Sequence, residues 1–261
     1  MPAGFVIVTG GNRGLGLDVC HKLVTSGRNV ILASRDARAG QEAAAKIRQG
    51  GGSAQCVSEP LDVSSPDNIK AFARTVTERY AAKLEGLINC AATYNSGWDH
   101  NAFTEFQQVN YAGPVMLTQL LAPALSEEST IVMVTSGLGH RSHLSQSYAS
   151  EVAGADTINA LQAISFRRDA HMAGTFNPCY CLTKAMLNRS AHILATDPVL
   201  KDRHININSQ DPGWCRTRMG GGGAPRSSEQ GAQSILMALE LKWPQTGGVY
   251  NSAGQLVHEG S

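Results

Sequence analysis

The chain has 261 residues, a hydrophobic content of 42%, a charged content of 16% and a formal net charge of +1. That length suits one large α/β domain, and near-neutrality gives no electrostatic case for nucleic acid or an anionic membrane as partner. No apolar run is long enough to span a bilayer, and the β-rich stretch after "MPAG" leaves no room for a signal peptide, so a cytoplasmic protein is expected.

Short β-rich runs are predicted at 4–10, 29–34, 54–63, 86–92 and 129–136, separated by helical patterns at 15–27, 38–51, 65–83 and 103–128. Strands without strict alternation, divided by amphipathic helices, indicate a parallel sheet covered on both faces. Right-handed crossovers then give an α/β, doubly wound (Rossmann) mostly parallel sheet. Ser65-Pro66-Asp67 reads as an N-cap with proline in the first helical turn, and Gly27 and Gly50-Gly51-Gly52 mark helix ends. Pro114 and Pro123 should kink or divide the fourth helix. Residues 137–178 are too long for a simple connection of roughly 2–6 residues. They are expected to form an inserted subdomain over the carboxyl edge of the sheet, with a short helix in "ADTINALQAISFRR" (155–168). A helix at 179–197, a strand in the 203–209 region, a glycine-rich loop, a helix at 227–241 and a strand near 248–252 complete a single domain over 1–261.

"VTGGNRGLG" (8–16) lies between the first strand and the first helix, with glycines at Gly10, Gly11, Gly14 and Gly16. Glycine there lets the backbone, with Asn12, Arg13 and Leu15, close on a pyrophosphate at the helix start. The second strand ends at Ser34, followed by Arg35; with Arg13 these favour the extra phosphate of NADP(H) over NAD. Asp36 stands where an NAD-type acid could lie, but reads better as the cap of the next helix. Arg38 is left unassigned.

Of six tyrosines only Tyr180 has a lysine four residues on, Lys184, and that spacing puts phenol and amine on one helix face. A neighbouring ammonium would lower a phenol that ordinarily titrates near 10, which suits proton transfer. Cys20, Cys56, Cys90, Cys179, Cys181 and Cys215 show no zinc-like spacing and read as reduced core thiols. No carboxylate or thiol cluster joins His140 and His143, so no metal is expected.

These motifs resemble the short-chain dehydrogenase/reductases, most closely their single-domain, carbonyl-reductase-like members. The match is carried by Thr9-Gly10-x-x-x-Gly14-x-Gly16, Arg13 and Arg35, Asp62-Val63, "NCAA" (89–92), Asn110 in "QVNYAG", Ser136, Tyr180-x-x-x-Lys184 and "DPGWCRT" (211–217). The resemblance implies that Asp62 and Val63 contact the adenine, and that Asn89 and Ala91 line the adenosine ribose side and steady the sheet. Pro212, Gly213 and Thr217 would hold the nicotinamide. Ser136 would orient the substrate oxygen toward Tyr180, Lys184 would reach the nicotinamide ribose, and Asn110 would hold a water leading from Lys184 to solvent. Ala92 replaces the usual glycine and adds a methyl group near the cofactor. The insertion is similar to that of monomeric carbonyl reductases, which favours a monomer, with a homodimer as the alternative.

The expected activity is NADPH-dependent reduction of a ketone, aldehyde or quinone-like carbonyl in a small molecule. The alternatives are an NAD-dependent secondary-alcohol dehydrogenase and a non-catalytic NADP-binding sensor or scaffold. Tyr94, Trp98, Leu138, His140, Trp214 and Met219 are candidates for the substrate cleft or for core packing. The run Gly220–Gly223 suggests a flexible lid, and Arg218 stands where related sequences often carry an acid.

Overall fold

The computed structural model describes residues 4–50, 53–80, 83–95, 97–167 and 177–257. The expected helix ends at Gly51 and Gly52, and positions 168–176 of the insertion, lie outside them. The first half alternates strand and helix: β1 (Phe5–Thr9), α1 (Gly14–Thr25), β2 (Asn29–Ser34), α2 (Ala37–Gln49), β3 (Cys56–Pro60), α3 (Pro66–Tyr80) and β4 (Leu84–Asn89). Then come α4 (His100–Gln107), a π turn (Gln108–Ala112), α5 (Gly113–Leu121) and β5 (Leu125–Val134). After the insertion lie α8 (Pro178–Leu194), α9 (Pro198–Asp202), β6 (Asn206–Gln210), α10 (Ser228–Leu239), β9 (Val249–Tyr250) and β10 (Leu256–Val257).

The eight-stranded sheet runs β10-β9-β6-β5-β4-β1-β2-β3 and is parallel except for the β9–β10 pair. All five residues of β1 are buried because both faces are covered. Successive side chains go to opposite faces. Ile7, Ile31 and Leu87 join a core with α3, α5 and α8, whereas Val6, Val8, Val30 and Leu32 join a core with α1, α2 and α10. Each such side chain contributes about 1.5–3 kcal/mol of apolar transfer, which holds the strand ends that carry the site.

Local caps follow the sequence. Asp36 accepts from the Ala39 N–H at 3.0 Å, so it caps α2. Ser65 accepts from the Asn68 N–H at 3.3 Å, and Gly27 takes φ +86° after α1. Two expectations are corrected. The fourth helix does not run to 128: it divides at the π turn, tightens to a 3-10 turn at Ala122–Ala124, and gives way to β5 at Leu125. Glu128 takes φ 60° where the β4–β5 register shifts, so β5 enters the sheet, bulges and resumes at Thr130. In the insertion, the helix expected over 155–168 is confined to α7 (Ile158–Gln162), and a second helix, α6 (Gln146–Gly154), precedes it. Between β6 and α10, β7 (Cys215–Arg216) and β8 (Arg226–Ser227) form a separate two-stranded ribbon, which the sequence did not suggest.

The insertion packs against α8 and α4. Arg189 Nε donates to the Ala155 carbonyl at 2.8 Å, Tyr111 Oη to that of Ile158 at 3.4 Å and Gln107 Nε2 to that of Ile164 at 3.4 Å. Its apolar side chains, Tyr148, Val152, Leu161 and Ile164, share a third core with Phe103, Phe106 and Tyr180.

Candidate active site

The glycine turn leaves β1 with Gly10 at φ +67° and Gly14 at φ +53°, backbone states that favour glycine. A Cβ at Gly10 would lie 3.0 Å from Ala91 Cα. Thr9 Oγ1 accepts from the Cys90 and Ala91 N–H groups at 2.9 and 3.0 Å, fastening the ends of β1 and β4 together. Thr217 lies across from the turn, its Cγ2 3.6 Å from where a Gly14 Cβ would stand. Arg13 occupies the N-cap position of α1 but makes no capping bond through its side chain. A free helix start at a glycine turn suits a pyrophosphate, so these residues fit a dinucleotide.

Arg13 and Arg35 are both exposed, and neither has an ion-pair partner among the described residues. Arg38 pairs instead with Glu42 at 2.9 Å. Ser34 is buried and its hydroxyl donates to the Asp36 carbonyl at 2.8 Å. Asp62 accepts from the Ser64 N–H at 2.9 Å, which closes the loop after β3, with Val63 buried beside it. Asn89 is also buried, and its amide donates to Thr118 Oγ1 at 3.1 Å. Its side chain ties β4 to α5, as a sheet-steadying residue does.

Ser136, Tyr180 and Lys184 come together at the carboxyl edge, and the π turn that carries Asn110 packs against α8. Ser136 follows β5 and its Oγ accepts from the Leu138 N–H at 3.2 Å, starting the 3-10 turn Gly137–Gly139. Tyr180 and Lys184 share one face of α8. The Tyr180 hydroxyl faces that of Ser136. Lys184 Nζ lies 5.7 Å from the Tyr180 ring centroid and donates to the Val134 carbonyl at 2.7 Å. Asn110 sits in the π turn, a rare interruption of helix geometry that concentrates at functional sites. Its Oδ1 accepts from the Thr93 N–H at 2.8 Å and its Nδ2 donates to the Thr93 carbonyl at 3.0 Å. Both side-chain atoms thus hold the π turn to the loop after β4.

Burial governs the charge states. It pushes the Tyr180 phenol well above 10; the Ser136 hydroxyl opposes this, while Asp211, Tyr94 and Cys181 add to it. With its amine driven below the phenol, Lys184 is neutral where Tyr180 titrates and so does not lower it in the free chain. Burial drives the Lys184 amine down to about 8, against smaller upward effects of Cys90 and Asp211.

Sequence reasoning missed three supports. A Cβ on Gly139 would stand 2.9 Å from Lys184 Cβ and 3.0 Å from its carbonyl carbon, so glycine lets the turn after Ser136 dock on α8. Arg226 packs over Gly213 (φ +76°) and its Nη2 donates to Ser234 Oγ at 2.9 Å and the Gln230 carbonyl at 3.0 Å, clamping the Pro212-Gly213 turn to α10. Asp211 accepts the Gly213 N–H at 2.8 Å. The first two join parts of the chain that are distant in sequence, and no local pattern announces them.

Around the mouth, Tyr94 is 41% exposed and meets the Tyr180 ring edge-on at 5.0 Å. Trp214 and Met219 are 60% and 43% exposed. Trp98 instead packs on Phe166 at 4.8 Å, and Leu138 joins the third core. His140 Nδ1 lies 2.7 Å from Ser142 Oγ, within its own turn. The start of the glycine run is held in place: Gly220 donates to Thr217 Oγ1 at 3.0 Å and accepts from Trp214 Nε1 at 2.8 Å. The cysteines are free thiols, and no cluster of three or more histidine, cysteine or acidic residues that could hold a metal occurs among the described residues. No described helix is long and apolar enough to cross a membrane.

A family model described as short chain dehydrogenase matches residues 4–161. The chain is 26% identical to (+)-neomenthol dehydrogenase of Arabidopsis thaliana, over 93% of each sequence. It is 29% identical to carbonyl reductase [NADPH] 1 of Mus musculus, over 89% of this chain and 90% of that protein. The structure of salutaridine reductase from Papaver somniferum superposes with a TM-score of 0.82 at 23% identity, covering 95% of this chain and 99% of that one.

Proposed function

Starting from the fact that the chain belongs to the short-chain dehydrogenase family, we propose that it is an NADPH-dependent reductase of small-molecule carbonyl compounds. The observation that carries this reading is the convergence of Ser136, Tyr180 and Lys184 at the sheet edge. Residues 1–261 act as one cofactor-binding and catalytic domain, with 137–178 as its inserted part. Gly10, Asn12, Gly14, Leu15 and Gly16 cradle the pyrophosphate. Arg13 and Arg35 take the additional phosphate, Asp62, Val63 and Ala91 flank the adenosine half, and Pro212, Gly213 and Thr217 the nicotinamide half. That Arg13, in the glycine turn, and Arg35, after β2, are exposed and have no ion-pair partner among the described residues supports NADPH over NADH. The name of the mouse carbonyl reductase agrees.

When bound, NADPH supplies the hydride, two electrons and a proton's mass, to the carbonyl carbon. Ser136 donates a hydrogen bond to the substrate oxygen and orients it. Tyr180 gives its phenolic proton to that oxygen as negative charge develops, so the product is an alcohol. The raised phenol suits the reducing direction, in which tyrosine must enter the reaction protonated. Lys184 steadies the tyrosinate that remains, and the main chain of Asn110 leads a water toward the amine for reprotonation. Tyr94, with its exposed edge over Tyr180, forms one wall of the cleft for ketone, aldehyde or quinone-like groups. The insertion covers the α4–α8 face, which supports a monomer, and the protein acts in the cytoplasm.

The test is loss of NADPH absorbance over a panel of ketones, aldehydes and quinones. Tyr180→Phe should abolish turnover while NADPH binding, followed by fluorescence, stays close to wild type. Wild-type protein that binds NADPH but reduces no member of the panel would overturn the reading.

A further inference from the structure

Lys184 is buried, and its ammonium donates to a neutral carbonyl, that of Val134. An ammonium so placed is costly unless a negative charge faces it. The charged and titratable groups around the pair come from three places. Cys90, after β4, faces the amine, but its thiol is pushed up to about 11 by burial and is neutral where the amine titrates. Tyr94 and Cys181 face the phenol; burial raises the Cys181 thiol to about 11. Asp211, one residue past β6, faces both Tyr180 and Lys184.

The position of Asp211 is fixed by the sheet. Val134 and Gln210 are register partners, and the Thr135 N–H donates to the Gln210 carbonyl at 2.9 Å, so Asp211 stands beside the Ser136 end of β5. Its own N–H donates to the Tyr250 carbonyl at 2.8 Å, and its Oδ1 takes the Gly213 N–H. Its Oδ2 points toward Gly137, 3.2 Å from where a Cβ there would stand. On its other side lie Cys215 and, beyond that thiol, Arg226, whose Nη2 is bonded to Gln230, Ser234 and Ser252.

We propose that Asp211 is a positioning residue of the proton-transfer pair: its carboxylate keeps Tyr180 and Lys184 proton-bearing and biases the site toward giving a proton to substrate. The statement about substrate rests on the reductase reading; the statement about the pair does not. Removing the charge makes both protons easier to lose. In reduction the alkaline limb of the rate profile then falls to lower pH; in alcohol oxidation, where tyrosine must accept a proton, the acid limb falls and activity at low pH rises.

The test follows the Lys184 13Cε resonance in 13C-lysine-labelled protein through a pH titration, assigned by its absence in Lys184→Arg. Asp211→Asn and Asp211→Ser both keep an oxygen for the Gly213 N–H. Each should lower the Lys184 midpoint by at least about half a pH unit, while Asp211→Glu restores it. With a carbonyl substrate, the alkaline limb should move down by a similar amount. A role confined to the turn would lower the rate at every pH without moving the limb. An unmoved midpoint in both neutral variants overturns the proposal, as does failure of both to fold, which would assign Asp211 to the turn alone. If the midpoint moves but no carbonyl is reduced, the proton linkage stands and the reductase reading fails.

Discussion

Replacing Lys184 by methionine should make the protein more stable as it removes the chemistry. The amine titrates at about 8 in the folded chain against 10.5 ordinarily, a difference of about 3 kcal/mol. The unfolded chain holds this proton up to about 10.5 and the folded chain only to about 8, so between these values the unfolded state binds more protons. Wild-type stability therefore rises with pH across that window, and the penalty is fully present below it. Methionine has similar length and no charge, but leaves the Val134 carbonyl without its donor, which costs about 1–2 kcal/mol. The net gain at pH 7 is about 1–2 kcal/mol, or roughly 2–8 °C in Tm for a chain of this size. Urea melts of both proteins from pH 6 to 10.5 would read it. Taking the difference cancels the tyrosines and cysteines common to both, apart from Cys90, which is coupled to Lys184. The stability gap should narrow as pH rises. A methionine variant less stable at pH 7, with a gap that does not vary with pH, would refute the reasoning.

Arg35→Ala should weaken NADPH binding by about 10- to 100-fold, the loss of one charge-assisted contact, and leave NADH nearly unchanged; paired fluorescence titrations read the ratio. Gly139→Ala should cost about 1–3 kcal/mol by forcing the turn away from Lys184, and lower kcat more than it raises KM for the cofactor, measured by melts and steady-state kinetics. Asp36→Ala, which removes the α2 cap, should cost about 0.5–2 kcal/mol in urea melts and leave the NADPH-to-NADH preference as it was. Sedimentation equilibrium should give a mass near 27.7 kDa; twice that value would show that the insertion does not block pairing.

The strands of the first half were legible because apolar runs such as "FVIVT" have no other place in a water-soluble chain than between two helical layers. Helix starts at Asp36 and Ser65 were legible because capping is a short-range event. The start of β5 was not: "LSEES" has the composition of a helix end, and only the bulge at Glu128 and pairing with β4 make it a strand. Helix α6 was missed because two side chains, Tyr148 and Val152, carry its burial, too few for a periodic signal. In the site, the glycine turn and the Tyr180–Lys184 pair stood out through spacing. The inward turn of Ser34, the double commitment of Asn110 and the reach of Asp211 depend on neighbours more than a dozen residues away or on side-chain direction. Sequence spacing does not encode either.

The two bonds from Asn110 to Thr93 have a mechanical consequence. Tyr94 is the next residue, so the aromatic wall beside the reacting phenol is anchored to the body of the protein one peptide away. A bulky ligand then cannot gain room by pushing that wall outward without breaking bonds inside the π turn. Room has to be found away from that wall, so differences in ligand size among close variants of this chain should be written in exposed side chains such as Trp214 and Met219.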